Sequence, residues 1–182
     1  MSEHVLVLRD EVSLTVVHAL AELEAWELRE ETGRAHLLLA SRRWSTPMGE
    51  EITYVADHTS GAQSLRVSGP GAAATADRLR GRILCEDEGE LLAMAMEGEP
   101  GPCVRVAGKL AACRPERAEE RHLTALRRLL EHPEVAVRRA AIRSAYGCRW
   151  PELRDVVEAR QGEEKRLQEQ LEGLRAYLAE PG

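Results

Sequence analysis

The sequence predicts an α+β fold: an N-terminal antiparallel sheet with two helices over residues 1–84, followed by an α-helical repeat array over 85–182. Three observations carry this. The runs Ile52-Thr53-Tyr54-Val55-Ala56 and Ser64-Leu65-Arg66-Val67-Ser68 are alternating and β-branched, and flank the turn-forming Asp57-His58-Thr59-Ser60-Gly61. From Pro133 a stretch rich in alanine runs to Gly147, as in a helix that starts at proline, packs closely and stops at glycine. Thirty-three residues upstream the pattern recurs, with Pro100 for Pro133, Val104-Arg105 for Val137-Arg138, Ala107 for Ala140 and Ala112 for Ala145. A helical hairpin of this kind cannot bury its apolar face alone, so the recurrence predicts stacking.

The elements follow in order. His4-Val5-Leu6-Val7-Leu8-Arg9 is a short apolar run bounded by Asp10 and reads as a first strand. Ser13 then caps a helix in which Val16, Val17, Leu20 and Leu23 recur at helical spacing. Residues 25–40 suit a hairpin turning at Glu31-Thr32-Gly33-Arg34; the alternative is one helix continuing from Ser13 and ended by Gly33. Arg42 to Gly49 reads as a loop that carries Trp44 between arginines and Ser-Thr-Pro. After the strands at 52–56 and 64–68, Gly69-Pro70-Gly71 opens a helix expected from Ala72 to Leu84. A glycine-flanked helix start can bind phosphate, but no Walker lysine follows and Pro70 removes a donor, so a turn-and-cap role is favoured.

The acidic run Cys85-Glu86-Asp87-Glu88-Gly89-Glu90 marks the boundary and suits a helix N-terminus. Leu91, Leu92, Met94, Ala95 and Met96 form the next helix, and helices are expected at 102–113, 117–131 and 134–146, punctuated by prolines. Leu167, Leu171, Leu174 and Leu178 make a final amphipathic helix, expected to cap the array or to pair two copies in a homodimer. At Pro133, Val137-Arg138, Ala140-Ala141 and Gly147 the chain resembles the second helix of a HEAT repeat, with a weaker copy at Pro100, Val104-Arg105 and Ala107. The offset is shorter than the family's roughly 40–47 residues. The resemblance implies a protein-binding scaffold, and so a partner rather than a substrate.

Composition narrows the function classes. Over 182 residues with 43% hydrophobic and 31% charged side chains the chain holds a real core, and leucine and valine must fill it because phenylalanine is absent. Net charge is −6, so general attraction to nucleic acid or to an anionic membrane is not expected. Cys85, Cys103, Cys113 and Cys148 form no C-x-x-C pair, no signal peptide or 18-residue apolar run is present, and a cytoplasmic protein with reduced thiols is expected.

Residues 114–150 hold nine arginines against five acidic residues. Arg127, Arg128, Arg138, Arg139 and Arg143 are therefore candidates to converge on a carboxylate-rich partner. Trp44, Arg139 and Arg143 are the predicted partner contacts; no catalytic, cofactor-binding or metal-binding residue is assigned. The expected function is a non-enzymatic protein-binding module or adaptor, a toxin-neutralising immunity protein being one specific form. The alternative is an enzyme or small-ligand sensor with a site in a cleft between the two regions, using His36 or His58; a third reading is nucleic-acid binding through the arginines.

Overall fold

The computed structural model describes residues 3–32, 39–57, 60–113, 119–148, 150–153 and 169. The chain divides into two compact units, Met1–Glu86 and Asp87–Gly182. The expected boundary at 84/85 moves two residues on because Cys85 and Glu86 stay with the first unit: Leu8 bridges Cys85, and Glu86 N–H donates to Val7 O at 2.8 Å.

The first unit runs β1 (His4–Val7), α1 (Leu14–Leu23), β2 (Glu27–Thr32), β3 (Leu39–Ser45), β4 (Glu51–Asp57), β5 (Gln63–Ser68) and α2 (Ala72–Arg80). Among the described residues the strands form one antiparallel sheet, ordered β1-β5-β4-β3-β2. Strand register puts Leu6, Leu65, Val67, Ile52, Tyr54 and Trp44 on a single face, and these share one core with Val17 and Ala21 of α1 and Ala72, Ala76 and Leu79 of α2. The unit is thus two layers, helices over one sheet face. The outer edge strand β2 is exposed along its whole length. It is dressed in charge: Arg42 reaches Glu31 at 2.6 Å, Arg43 pairs with Glu30 and Arg29 with Glu27, which discourages a further strand from adding there.

Residues 25–40 are a hairpin as far as they are described. Helix α1 stops because Ala25 turns left-handed, at φ 54°, letting Trp26 N–H reach Ala21 O at 2.8 Å and Ala25 N–H reach Glu22 O at 3.2 Å. An alanine there costs about 1 kcal/mol relative to glycine, which is why the stop carries no glycine signal. The helix expected to Leu84 ends at Arg80, and the segment beyond runs beside the end of β1, with Arg9 N–H donating to Leu84 O at 3.1 Å. Arg42 to Ser45 is strand, not loop.

The β3–β4 turn is locked to the start of α2. Glu50 is 5% exposed, and its carboxylate accepts from the Thr46 hydroxyl and, at 3.1 Å, from that of Thr75. Burial alone raises its pKa, but the Thr46 hydroxyl, its own backbone N–H, the Thr75 hydroxyl and the Arg78 charge together hold it below the usual glutamate value. Gly71 caps α2 at φ 77°, and a Cβ there would stand 3.0 Å from Glu50 Oε1. The carboxylate thus occupies the approach to the helix start, in keeping with the turn-and-cap role.

In the second unit the described helices are α3 (Glu88–Glu97), α4 (Pro100–Cys113), α5 (Glu120–Leu130) and α6 (Val135–Cys148), followed by a short 3-10 turn at Pro151–Leu153. Asp87 caps α3 by accepting from Glu90 N–H at 2.9 Å. Gly98, at φ 81°, ends α3 and lets α4 fold back within two residues. The helices pack as two hairpins, α3 with α4 and α5 with α6, stacked so that α3 lies on α5 and α4 on α6, the last being the most extensive contact. Gly33, His36, His58 and the final leucine helix with its homodimer contact lie outside the described residues.

Candidate partner-binding surface

Burial sets the register between the two hairpins. Leu91, Leu92 and Ala95 of α3 correspond to Ala125, Leu126 and Leu129 of α5, and Cys103, Ala107, Gly108 and Leu110 of α4 to Val137, Ala141, Ile142 and Ser144 of α6, every one buried. The offset is 34 residues, not the 33 expected from matching residue letters. Two buried histidines confirm it by bonding to their own equivalents. His122 Nε2 meets Glu88 Oε1 at 2.9 Å and His132 Nε2 meets Gly98 O at 2.8 Å, both 34 positions apart. Glu134 N–H donates to His132 Nδ1 at 3.0 Å, so that ring is neutral with its proton on Nε2. His122 also packs edge-to-face on Trp150. Both histidines stitch one hairpin to the next.

A one-residue change of offset rotates a helix position by about 100°. Val104, matched to the buried Val137 at offset 33, is accordingly 36% exposed, and the true equivalent of Arg105 is Arg139 rather than Arg138. Arg138 is turned back on the α5–α6 connection, donating to the carbonyls of His132 at 2.8 Å and Pro133 at 2.6 Å. Arg127 pairs with Glu120 at 2.9 Å on α5. Of the five candidate arginines, Arg138 and Arg127 are thus engaged within their own unit. What remains is Arg105 on α4 and, on α6, its equivalent Arg139 together with Arg143, while Lys109, the equivalent of Arg143, lies among the buried residues of α4. Arg105 and Arg143 are exposed, Arg139 is half-buried and Lys109 is 5% exposed. Arg143 Nε also donates to Arg139 O at 3.4 Å, and all four cations engage other groups of the chain.

Charge is segregated by helix. Neither α4 nor α6 contains an Asp or Glu, although the chain holds 31 acidic residues against 25 lysines and arginines. On α3 the only charges are Glu88, Glu90 and Glu97, and on α5 Glu120 precedes Arg121, Arg127 and Arg128. Arg105 is the residue that reading by letters misplaced; the burial period of α4 was the signal that would have found it.

The other predicted contact is corrected. Trp44 sits in β3, paired with Leu28 and Ile52 on the core face, and is 1% exposed. Trp26 packs on it at 6.2 Å and His18 edge-on at 6.0 Å. Its indole is core, and closed to a partner in the folded unit.

Chemistry elsewhere is sparse. All four cysteines are free, and burial pushes the thiols of Cys85 and Cys103 up, away from the reactive thiolate. Among the described residues no group of three or more His, Cys, Asp or Glu side chains is placed to hold a metal ion, and no helix is long and apolar enough to cross a membrane. The chain matches no protein-family model, and neither a curated protein nor a solved structure matches it.

Proposed function

We propose that the chain is a non-enzymatic, cytoplasmic protein-binding module whose helical unit presents the outer side of α4 and α6 to an acidic partner. The observation that carries this is the segregation of charge: two packed helices bear only cations, at equivalent positions, in a chain of net charge −6. Arginine forks bind carboxylates by paired hydrogen bonds, so a repeated row of them favours a specific acidic surface over diffuse attraction. Hairpins stacked at constant offset support the HEAT-like resemblance, in which extended helical faces serve as binding surfaces.

The test is retention of a partner from native lysate by wild type beside Arg139→Glu/Arg143→Glu, with mass spectrometry and an assay for co-purifying nucleic acid. A protein held by wild type and lost with a variant of unchanged circular dichroism is the expected result, and its identity decides whether it is a toxin. The same set retained by both proteins refutes the reading.

A further inference from the structure

We infer that His122 is a proton-operated clasp between the two helical hairpins, closed when its ring is charged and loosened when it is neutral. The ring is 1% exposed, yet its two nitrogens have unequal surroundings. Nε2 meets Glu88 Oε1 of α3 at 2.9 Å, so a neutral ring carries its proton there. Nδ1 is then a buried acceptor with no hydrogen-bond partner among the described residues, and what faces it is a second acceptor, Glu119 Oε2 at 4.0 Å. A neutral imidazole has one proton to give, and two carboxylates stand ready to accept. Only the imidazolium supplies both, once the half-exposed Glu119 side chain swings in by about 1 Å to hydrogen-bond distance.

The charges around the ring favour that state. Glu88 comes from α3, Glu119 and Arg121 from α5 and the residue before it, and the Arg121 guanidinium holds both carboxylates, Glu88 at 2.7 Å and Glu119 at 2.8 Å. Trp150, which packs edge-to-face on the ring, is uncharged. The other helices packed on α5, α4 and α6, contain no Asp or Glu, and among the described residues none of their cations pairs with either carboxylate. The cluster therefore holds two negative charges against one positive, and a proton on His122 balances it. Burial of the ring opposes its charged form, but the two carboxylates are 36% and 49% exposed, so the ring is withdrawn from water and its counter-charges are not. His132 is the contrast: its neutral ring already uses both nitrogens, and a second proton would displace Glu134 N–H from Nδ1. In a stacked array the rotation between neighbouring hairpins sets the surface presented. The clasp ties that rotation to pH over the range, about 5 to 8, in which imidazoles change charge.

The experiment measures amide hydrogen exchange of the full chain at about pH 6 and about pH 8, corrected for intrinsic rates, at the starts of α3 and α5. Protection there is expected to be at least about 5-fold higher at the lower pH, with the sheet unit showing no such difference. His122→Gln keeps an N–H for Glu88 but cannot titrate, and Glu119→Gln keeps the histidine but removes the second carboxylate; either substitution should abolish the difference. Equal protection of wild type at the two pH values overturns the inference, as does a difference that survives Glu119→Gln or appears equally in the sheet unit. Should His122→Gln unfold by circular dichroism, Glu119→Gln decides alone, because it changes a half-exposed side chain and separates His122 from every other histidine of the chain.

Discussion

In the sheet unit the side chains that hold the fold meet across unequal stretches of chain: Thr75 reaches Glu50 from 25 residues away, Arg82 reaches Glu24 from 58 and Arg9 reaches the Cys85 carbonyl from 76. In the helical unit both buried histidines bond across the same 34 residues. The first is one closed set of long-range contacts, so damage at one point is felt throughout it. The second is built from nearest-neighbour steps, so damage there stays between the two hairpins it touches. The difference also bears on the predicted contacts: the sheet unit buries Trp44, while the helical unit leaves Arg105 and Arg143 exposed.

The largest expected effect tests that closed set. Trp44→Ala should destabilise the sheet unit by about 4 kcal/mol, seen as a fall in the urea midpoint followed by circular dichroism, with hydrogen exchange in α4 and α6 unchanged. Were partner retention lost without any shift in the midpoint, Trp44 would be a contact and not core.

Glu50 gives the next effect, with a pH signature of its own. Glu50→Ala should cost about 3 kcal/mol, because it strips the shared acceptor from two hydroxyls and from the approach to α2. The folded carboxyl titrates below its unfolded value, so its stabilisation is complete above about pH 4.3 and is lost as pH falls through the folded value. Urea midpoints measured across that range should fall more steeply for wild type than for Glu50→Gln. Parallel curves would mean that the carboxylate charge contributes nothing.

His132→Ala is expected to cost less, about 2 kcal/mol, and to act locally. It removes the donor to Gly98 O and the acceptor of Glu134 N–H, so amide exchange should quicken at the α3–α4 connection and the start of α6 while the sheet unit is untouched. Exchange that quickens evenly over both units would erase the distinction between them.

Much of the fold was legible because its signals are local. The order of strand, helix, strands and helix follows from alternation and turn residues within a few positions of each other. Trp44 was not, since Arg42 and Arg43 beside it read as loop until Glu31 and Glu30 on β2 are seen to pair with them. Of the candidate site, Arg139 and Arg143 were chosen from clustering alone, while Arg105 was matched to the wrong arginine because equal letters at offset 33 outweighed the burial period.

By itself, then, the sequence determined the order of most elements, where the chain turns between them, and that α4 and α6 carry cations without carboxylates, since each of these depends on neighbours along the chain. Only the tertiary structure decided the 34-residue register, the burial of Trp44, the engagement of Arg138 with the carbonyls of His132 and Pro133, and the pairing of Arg105 with Arg139. These depend on which surfaces exclude water against each other, and a shift of one residue, about 100° on a helix, is enough to turn a side chain from core to surface.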